Sequence, residues 1–373
     1  MKKLTFVAPC ILGLEGICAN DFKYNGIPSP RAVNGRVVFE GDLNILARAN
    51  LISRYSERIL LLLAEGEVLD FEQLFTTVNK IPWENYIGKT DTFPVQGRCL
   101  GSRLHSVSDC QKIIKKAVVD RLSSKYGIRW FEESGAVHKI RFLIMNDRVS
   151  VMLDTSGEGL HKRGYRADAN DAPIKETLAA AMTELAGVRA NHFVVDPMCG
   201  SGTIPIEAAL KATKTAPGLN RTFSAEKWAQ IPPTVWSEER ERASSLVNSN
   251  CSFRAIGYDI DESALEIARS NAEKAGVGDR ITFIKRDIRD FVYDADYETV
   301  ICNPPYGERL LDLDEAEELY RIMGKKLVPS KGKTCAVITP DDDFEKLFGR
   351  RADKRRKLYN GTLKCQVYLF KGL

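Results

Sequence analysis

Asn303-Pro304-Pro305-Tyr306 follows an apolar run at residues 297–302. An amide side chain, a proline whose carbonyl is free to accept and an aromatic ring, set at the end of a buried strand, can hold a flat base that bears an amino group. The chemistry this suggests is methyl transfer onto an exocyclic amine. Asn-Pro is also a common strand-to-loop stop, in which Pro ends the pairing and Asn satisfies the turn. The weight of the four residues therefore depends on what precedes them.

At Asp196-Pro197-Met198-Cys199-Gly200-Ser201-Gly202-Thr203 an acid and two glycines separate a short apolar strand (193–195) from a helical pattern (204–211). Glycines let the backbone turn sharply and approach a ligand, and the helix start offers free N–H groups. A phosphate-cradling loop would need a lysine after the last glycine, and none follows Gly202. A dinucleotide fold would need a three-glycine turn directly after the strand and an acid about twenty residues on. Asp196, at the strand end, would repel a pyrophosphate but can hydrogen-bond the cationic amino-acid end of S-adenosylmethionine. A second strand (254–258) comes after a long insertion from about 213 to 252 and ends in Asp259, placed to accept from a ribose hydroxyl pair. A third (281–284) is followed by Asp287, a candidate acceptor for an adenine amino group. Asp261 reads instead as the N-cap of a helix at 263–275. Ligands of open α/β sheets bind at strand carboxyl ends, and four such ends here offer compatible groups.

With these segments go Leu160-His161-Lys162-Arg163-Gly164-Tyr165-Arg166, Ala172-Pro173-Ile174-Lys175-Glu176-Thr177-Leu178-Ala179-Ala180 and the extension Gly307-Glu308-Arg309-Leu310. On all of them the chain resembles class I S-adenosylmethionine-dependent methyltransferases and, more closely, THUMP-domain RNA guanine-N2 methyltransferases. The resemblance covers essentially the whole chain and is strongest to the bacterial enzymes that methylate guanine N2 in large-subunit (23S) ribosomal RNA. Relatives that act on transfer RNA share Asn-Pro-Pro-Tyr. A single methyltransferase domain is expected here, where some ribosomal relatives carry a second. The resemblance implies S-adenosylmethionine as cofactor, held by Asp196, Cys199, Gly200, Ser201, Gly202, Asp259, Ile260, Asp287 and Ile288. It implies RNA as partner and Asn303, Pro304 and Tyr306 as the catalytic group.

The chemistry of the acceptor assigns the roles. A guanine amine is a poor nucleophile because its lone pair is delocalised, so orientation must supply much of the rate. The Asn303 side-chain oxygen and the Pro304 carbonyl can accept from the amine and aim its lone pair at the methyl group. Pro305 fixes its own φ and restricts Pro304. Tyr306 would stack on a base flipped out of its helix. Glu308 and Arg309 are candidate base-edge readers or, equally, a mutual ion pair.

The elements that must position these residues read as α/β: a Rossmann-like class I methyltransferase domain with a seven-stranded, mostly parallel sheet, preceded by a ferredoxin-like and a THUMP α+β region. The expected domains are 1–66, 67–160 and 161–373, with the boundary to the catalytic domain near 157–162. The first unit has strands at 5–8, 32–39 and 58–63, and helices from near Glu15 and at 42–51. The second has helices at 71–77 and 108–126 and strands at 92–98, 136–145 and 148–153, the last two joined by the hairpin dipeptide Asn146-Asp147. It matches the THUMP domain, whose role is RNA binding. Arg98, Arg103, His105, Lys112, Lys115 and Lys116 cluster there. Lys112, Lys115 and Lys116 share a helix face, either solvated or set against phosphates. A denser basic run, Arg350 to Lys357, is expected in a loop before strands at 357–360 and 364–370.

The bulk properties are compatible with this reading. The 373 residues, 44% of them hydrophobic, suffice for two or three packed domains. A net charge of +4 suits nucleic acid without singling it out. Nine scattered cysteines with no C-x-x-C pair, and four histidines, argue against a disulfide framework and against a zinc or iron–sulfur site, so no metal is expected and the reducing cytoplasm is the natural compartment. Cys199 and Cys302 invite a nucleophile of the kind used in carbon methylation, but no base pairs with either and both read as packing residues. Lys2-Lys3 and the apolar stretch after them mimic a secretory leader, which Pro9, Gly13 and Glu15 interrupt. No apolar run reaches the roughly eighteen residues of a membrane span. The alternative of another class is a non-catalytic RNA-binding module with a degenerate fold; intact Asp196, Gly200, Gly202, Asp259, Asp287 and Asn303 speak against it.

Overall fold

The computed structural model describes residues 3–166, 174–293, 295, 298–306, 313–361 and 363–372. The N-terminal half contains, in order, β1 (Leu4–Pro9), α1 (Glu15–Tyr24), β2 (Arg31–Val33), β3 (Arg36–Gly41), α2 (Leu43–Ile52), β4 (Leu60–Glu67), α3 (Phe71–Asn79), β5 (Val95–Leu100), α4 (Val107–Tyr126), β6 (Ile140–Met145) and β7 (Arg148–Asp154). Asp42 and Asp70 cap α2 and α3 by accepting from the backbone N–H three residues on. The strands form one sheet in the order β2-β3-β1-β4-β7-β6-β5. The ferredoxin-like and THUMP units are thus joined edge to edge, with Leu61 opposite Leu153 where β4 pairs antiparallel with β7. Leu60 and Leu61, and Val149, Val151, Met152 and Leu153, are apolar and nearly fully buried, and the Ser150 hydroxyl between them donates to Glu65 of β4, so the seam is both packed and bonded.

Two local expectations need correction. The strand expected at 32–39 is a hairpin, β2 and β3 turning at Asn34-Gly35 with Val33 opposite Arg36; that dipeptide is itself a hairpin signal. The strand expected from residue 136 begins at Ile140, preceded by a single bridge from Val137 to Thr92. Asn146-Asp147 does close the β6–β7 hairpin, both residues having positive φ (51° and 60°).

The C-terminal half contains α5 (Glu176–Leu185), β8 (Phe193–Asp196), α6 (Thr203–Ala212), α7 (Pro233–Ser245), β9 (Arg254–Asp259), α8 (Glu262–Lys274), β10 (Ile281–Lys285), β11 (Glu298–Cys302), α9 (Leu313–Lys326), β12 (Thr334–Thr339), α10 (Phe344–Phe348), β13 (Lys354–Asn360) and β14 (Leu363–Lys371). Its sheet runs β10-β9-β8-β11-β12-β14-β13, parallel from β10 to β12 and antiparallel in β14 and β13. The chain steps outward from β8 through β9 to β10, then returns to β11 on the other side of β8. That reversal opens a crevice at the strand carboxyl ends, where ligands bind in such sheets.

The basic run is a further correction. Residues 354–357 are not loop but the first half of β13, paired with β14 from Lys354 opposite Leu369 to Asn360 opposite Leu363. An edge strand needs only one partner, and its charged side chains face solvent while Leu358 is fully buried. Charge density conceals such a strand from a hydrophobicity reading.

The two halves are held together by the 213–252 insertion and by the linker. Arg48 of α2 makes a two-pronged pair with Glu239 of α7 at 2.6 and 2.9 Å. The Trp228 indole N–H donates to the Val137 carbonyl, and its ring stacks on His138. Arg163 is 3% exposed and donates to the Leu160, Ser53 and Arg54 carbonyls at 2.6 to 3.1 Å. No helix among the described residues is long and apolar enough to cross a membrane.

Candidate active site

The glycine loop sits between β8 and α6. Its Cys199 N–H donates to the Tyr258 carbonyl at 2.8 Å, and its Gly200 N–H donates to Asp259 Oδ2 at 2.8 Å, so the loop is tied to the end of β9. Asp259 Oδ1 accepts from the Asp261 N–H at 3.0 Å. Each carboxylate oxygen keeps a second lone pair for a ligand. Gly202 has φ +79°, and a Cβ there would lie 3.0 Å from the Ala268 Cβ and 3.0 Å from the Phe283 ring. The loop therefore seats directly on α8 and β10, and no side chain caps the start of α6.

Asp196 is 1% exposed, and its Oδ1 accepts from the Met198 N–H at 3.2 Å. Burial, with the nearby Asp259 charge, raises its carboxyl well above the usual range. An ammonium group arriving beside it would restore the charged form. Ser201 presents a buried hydroxyl with no hydrogen-bond partner among the described residues. At the next strand ends, Ile260 is 66% exposed, an unusual place for a large apolar side chain, whereas Ile288 is buried. Asp287 caps a short turn: Oδ1 accepts from the Arg289 N–H at 2.8 Å and Oδ2 meets the Arg289 guanidinium at 2.7 Å. Like Asp259, it has both carboxylate oxygens engaged.

Asn303 lies just beyond β11, beside β8, where Val300 is opposite Val195. Its Oδ1 is buried with no hydrogen-bond partner among the described residues. Pro304 is buried, and Tyr306 is half-buried with its hydroxyl accepting from Asn360 Nδ2 at 2.9 Å. Burial pushes the Tyr306 phenol up to about 12, so it stays protonated at neutral pH. The thiols of Cys199 and Cys302 are both raised well above the normal value by burial, so neither is a thiolate nucleophile. Glu308, Arg309 and Pro173 lie outside the described residues.

The structure adds groups that the sequence does not announce. Asn360 reaches Tyr306 from β13. Arg166 donates to Thr203 Oγ1 at 2.6 Å and to the Ile174 carbonyl at 3.1 Å, and lies 3.5 Å from the Glu176 carboxylate. It fixes the first turn of α6 against the start of α5. Burial raises the Glu176 carboxyl. Both residues fall in segments that carry the family resemblance, yet nothing in their spacing gives these contacts.

The basic residues of the N-terminal half are dispersed. Arg98 is exposed on the edge strand β5, and Arg103 and His105 are exposed on the loop after it. Lys112 pairs with Asp109 at 3.4 Å, and Lys116 is exposed, 5.9 Å from the Phe75 ring. Lys115 is turned inward: it pairs with Glu133 at 2.5 Å and lies 3.5 Å over the Phe93 ring. Among the described residues no cluster of His, Cys, Asp or Glu could hold a metal.

The sheet order, the glycine loop after its central strand and the strand-end acids define a class I S-adenosylmethionine-dependent methyltransferase. Residues 163–368 match the RMKL-like methyltransferase domain, residues 5–60 the RlmL ferredoxin-like domain and residues 69–154 the THUMP domain. The chain belongs to the RMKL-like methyltransferase family. It is 40% identical over 372 residues to YpsC of Bacillus subtilis, covering 99% of this chain and 96% of that protein. It is 35% identical over 376 residues to the ribosomal RNA large subunit methyltransferase K/L of Psychromonas ingrahamii, covering 97% of this chain. The chain spans about half the length of that relative, 49%. Among solved structures, a Listeria monocytogenes protein described as a predicted N6-adenine-specific DNA methylase aligns over 100% of this chain and 97% of its own, with 42% identity and a TM-score of 0.93. SMU.472 complexed with SAH aligns over 100% and 99%, with 37% identity and a TM-score of 0.92.

The cofactor of this class fits the residues present. A Cβ at Gly200 would meet nothing within 4 Å, Ser201 offers a buried hydroxyl with no partner among the described residues, and Asp196 is a buried acid in want of a cation.

Proposed function

We propose that this protein methylates the exocyclic N2 amine of a guanosine in RNA, with 23S ribosomal RNA as the substrate. The observation that carries the chemistry is the buried, unpartnered Oδ1 of Asn303 beside the glycine loop. Leaving such an acceptor unmet costs about 1–3 kcal/mol, and an amine N–H is the complementary donor. The RNA target draws its support from the THUMP match and from the names of the K/L relatives. The choice of guanine rests on the family resemblance.

Bound S-adenosylmethionine supplies an electrophilic methyl group on a sulfonium. The chain's own residues do the rest. Asp196 and Ser201 bind the amino-acid end, and Asp259 takes the ribose hydroxyls while keeping its bond to Gly200. Ile260 and Ile288 flank the adenine, with Asp287 at its amino edge. Asn303 Oδ1 and the Pro304 carbonyl accept the two amine protons, which turns the nitrogen lone pair out of conjugation and toward the methyl group. Tyr306 stacks on the flipped base. The amine becomes acidic once methylated and gives its proton to solvent, so no buried base is required. Holding the reactants in line replaces general-base catalysis as the main source of rate.

The test is Asn303→Ala assayed on 23S RNA from a deletion strain, with cofactor binding measured by calorimetry. Loss of N2-methylguanosine formation with cofactor affinity retained supports the mechanism; retained turnover overturns it. Nucleoside analysis of the same RNA separates the rivals. N6-methyladenosine would shift the acceptor to adenine, and a methyl group missing only from transfer RNA would shift the substrate.

A further inference from the structure

The densest positive charge in the chain plays no part in the site described above. Arg351, Lys354, Arg356 and Lys357 on and before β13, and Lys364 on β14, are all exposed, and none has an acidic partner among the described residues. Of the acids near it, Glu345 pairs with Arg355, Asp353 with Arg350, and Asp342 accepts from the Gln366 amide on β14. Edge strands carry charge to discourage pairing with other chains. That purpose requires neither a single sign nor four consecutive cations, and mixed charges would serve it with less self-repulsion.

Register connects this edge to the chemistry. Cys302 is opposite Val337, Val337 opposite Tyr368, and Tyr368 opposite Arg355. Arg356 therefore stands level with Asn303, three strands away, which is about 14 Å at normal strand spacing. Side chains alternate along a strand, so Lys354 and Arg356 share a face with buried Leu358 and with Asn360, about 6.7 Å between successive members, and Lys357 is on the other face. Asn360 ends the row, and its amide holds the Tyr306 hydroxyl. Two unpaired cations, Lys354 and Arg356, thus stand on the strand face that ends in Asn360, Arg356 about 13 Å from it along the strand.

We propose that the exposed basic side chains of β13 bind the phosphate backbone of the nucleic-acid strand that presents the target base. This rests on the RNA methyltransferase reading given above. Lys354, Arg356 and Lys357 neutralise phosphates flanking the flipped nucleotide, and the strand carries no sequence information itself. Its contribution is affinity and placement, and it must be sensitive to salt.

The experiment compares the full chain with the triple variant Lys354→Gln/Arg356→Gln/Lys357→Gln, using unmodified 23S RNA transcript as probe. Lys23→Gln/Lys274→Gln/Lys325→Gln, on exposed positions in the last turns of α1, α8 and α9, is the charge-matched control. Binding is measured as a function of salt, together with kcat, KM for RNA and the Kd for S-adenosylhomocysteine. Each phosphate of single-stranded RNA that is no longer neutralised flattens the log–log salt dependence by about 0.7, so the triple variant is expected to lose roughly two from the slope. KM for RNA should rise at least about tenfold at moderate salt, with the cofactor Kd unchanged and the control unaffected. An unchanged slope and KM in the triple variant would overturn the proposal while leaving the methyltransferase reading intact. A wild-type chain that binds and methylates no RNA would overturn that reading, and this surface with it.

Discussion

Asn360, the last residue of β13, donates its side-chain amide to the Tyr306 hydroxyl at 2.9 Å across 54 positions of sequence. The ring that ends Asn-Pro-Pro-Tyr is therefore oriented by a hairpin at the far edge of the sheet. Removing a single hydrogen bond of this kind costs about 0.5–1.5 kcal/mol. Asn360→Ala should lower kcat/KM for RNA by about two- to tenfold, with the Kd for S-adenosylhomocysteine unchanged. Tyr306→Phe, which keeps the ring and removes the hydroxyl, should do the same. If Asn360 acts through that hydroxyl, the double variant will be no worse than either single one. Additive losses would mean that Asn360 supports the fold by another route.

Gly202 is where the cofactor loop tolerates least. Its φ of +79° and the 3.0 Å distances from a built Cβ to Ala268 and Phe283 both oppose any side chain. Gly202→Ala combines about 1–2 kcal/mol of left-handed backbone cost with a clash against α8. We expect affinity for S-adenosylhomocysteine to fall at least about tenfold, equivalent to about 1.4 kcal/mol. Gly187→Ala is the control, because Gly187 has φ +75° with nothing within 4 Å. It should lower the melting temperature slightly and leave cofactor affinity alone. Equal loss of binding in both variants would show that backbone strain, not the seat on α8, is responsible.

What was legible in the sequence is what a short contiguous segment can state. A strand, a glycine turn and a helix start fit within Phe193–Asp196 and the residues up to Ala212, and the acids and Asn303 stand at strand ends because each follows its own apolar run. Parallel topology then brings those ends to one crevice. Pairings between distant segments were not legible. The Tyr306–Asn360 bond, the pairing of Lys115 with Glu133 and the joining of β4 to β7 depend on tertiary packing that no local pattern records. The basic first half of β13 was hidden for a different reason: an exposed edge strand has little apolar periodicity to betray it.

Arg163 is the bolt between the two halves. Its guanidinium donates to three backbone carbonyls, those of Ser53, Arg54 and Leu160, and lies 3.4 Å from Glu207 Oε1 on α6. Arg163→Ala would leave the fully buried Glu207 carboxylate without its cation, only the Tyr165 hydroxyl still donating to it among the described residues, at the interface of the N-terminal sheet and the cofactor helix. Breaking a buried pair from one side costs about 3–5 kcal/mol. The expected result in differential scanning calorimetry is a large drop in melting temperature and a split transition, as the halves cease to unfold together. Arg163→Lys keeps the charge but supplies fewer donors and should rescue only part of the loss. A single transition at the wild-type temperature would show that the insertion alone holds the halves together.

Asp21 supplies a pH dependence whose direction can be worked out. It lies on α1 with a buried Oδ2 that has no hydrogen-bond partner, while Oδ1 accepts from the Asn25 amide at 3.1 Å. Burial raises its pKa from 3.8 to about 6; the charges of Arg54 and Arg163 oppose the rise and that of Glu184 adds to it. An acid whose pKa is higher in the folded state binds its proton more tightly there, so protonation favours folding. Stability from this group therefore increases as pH falls from 7 through 6 toward 4, and is lost as pH rises back through 6. Between pH 7 and pH 5 the gain is roughly 1–2 kcal/mol, a few degrees in melting temperature for a chain of this size. Asp21→Asn removes the titration, so the wild-type melting temperature minus that of the variant should climb over that interval, whichever protein is the more stable at pH 7. A difference that stays flat from pH 7 to pH 5 would mean that Arg54 holds the carboxylate ionised throughout.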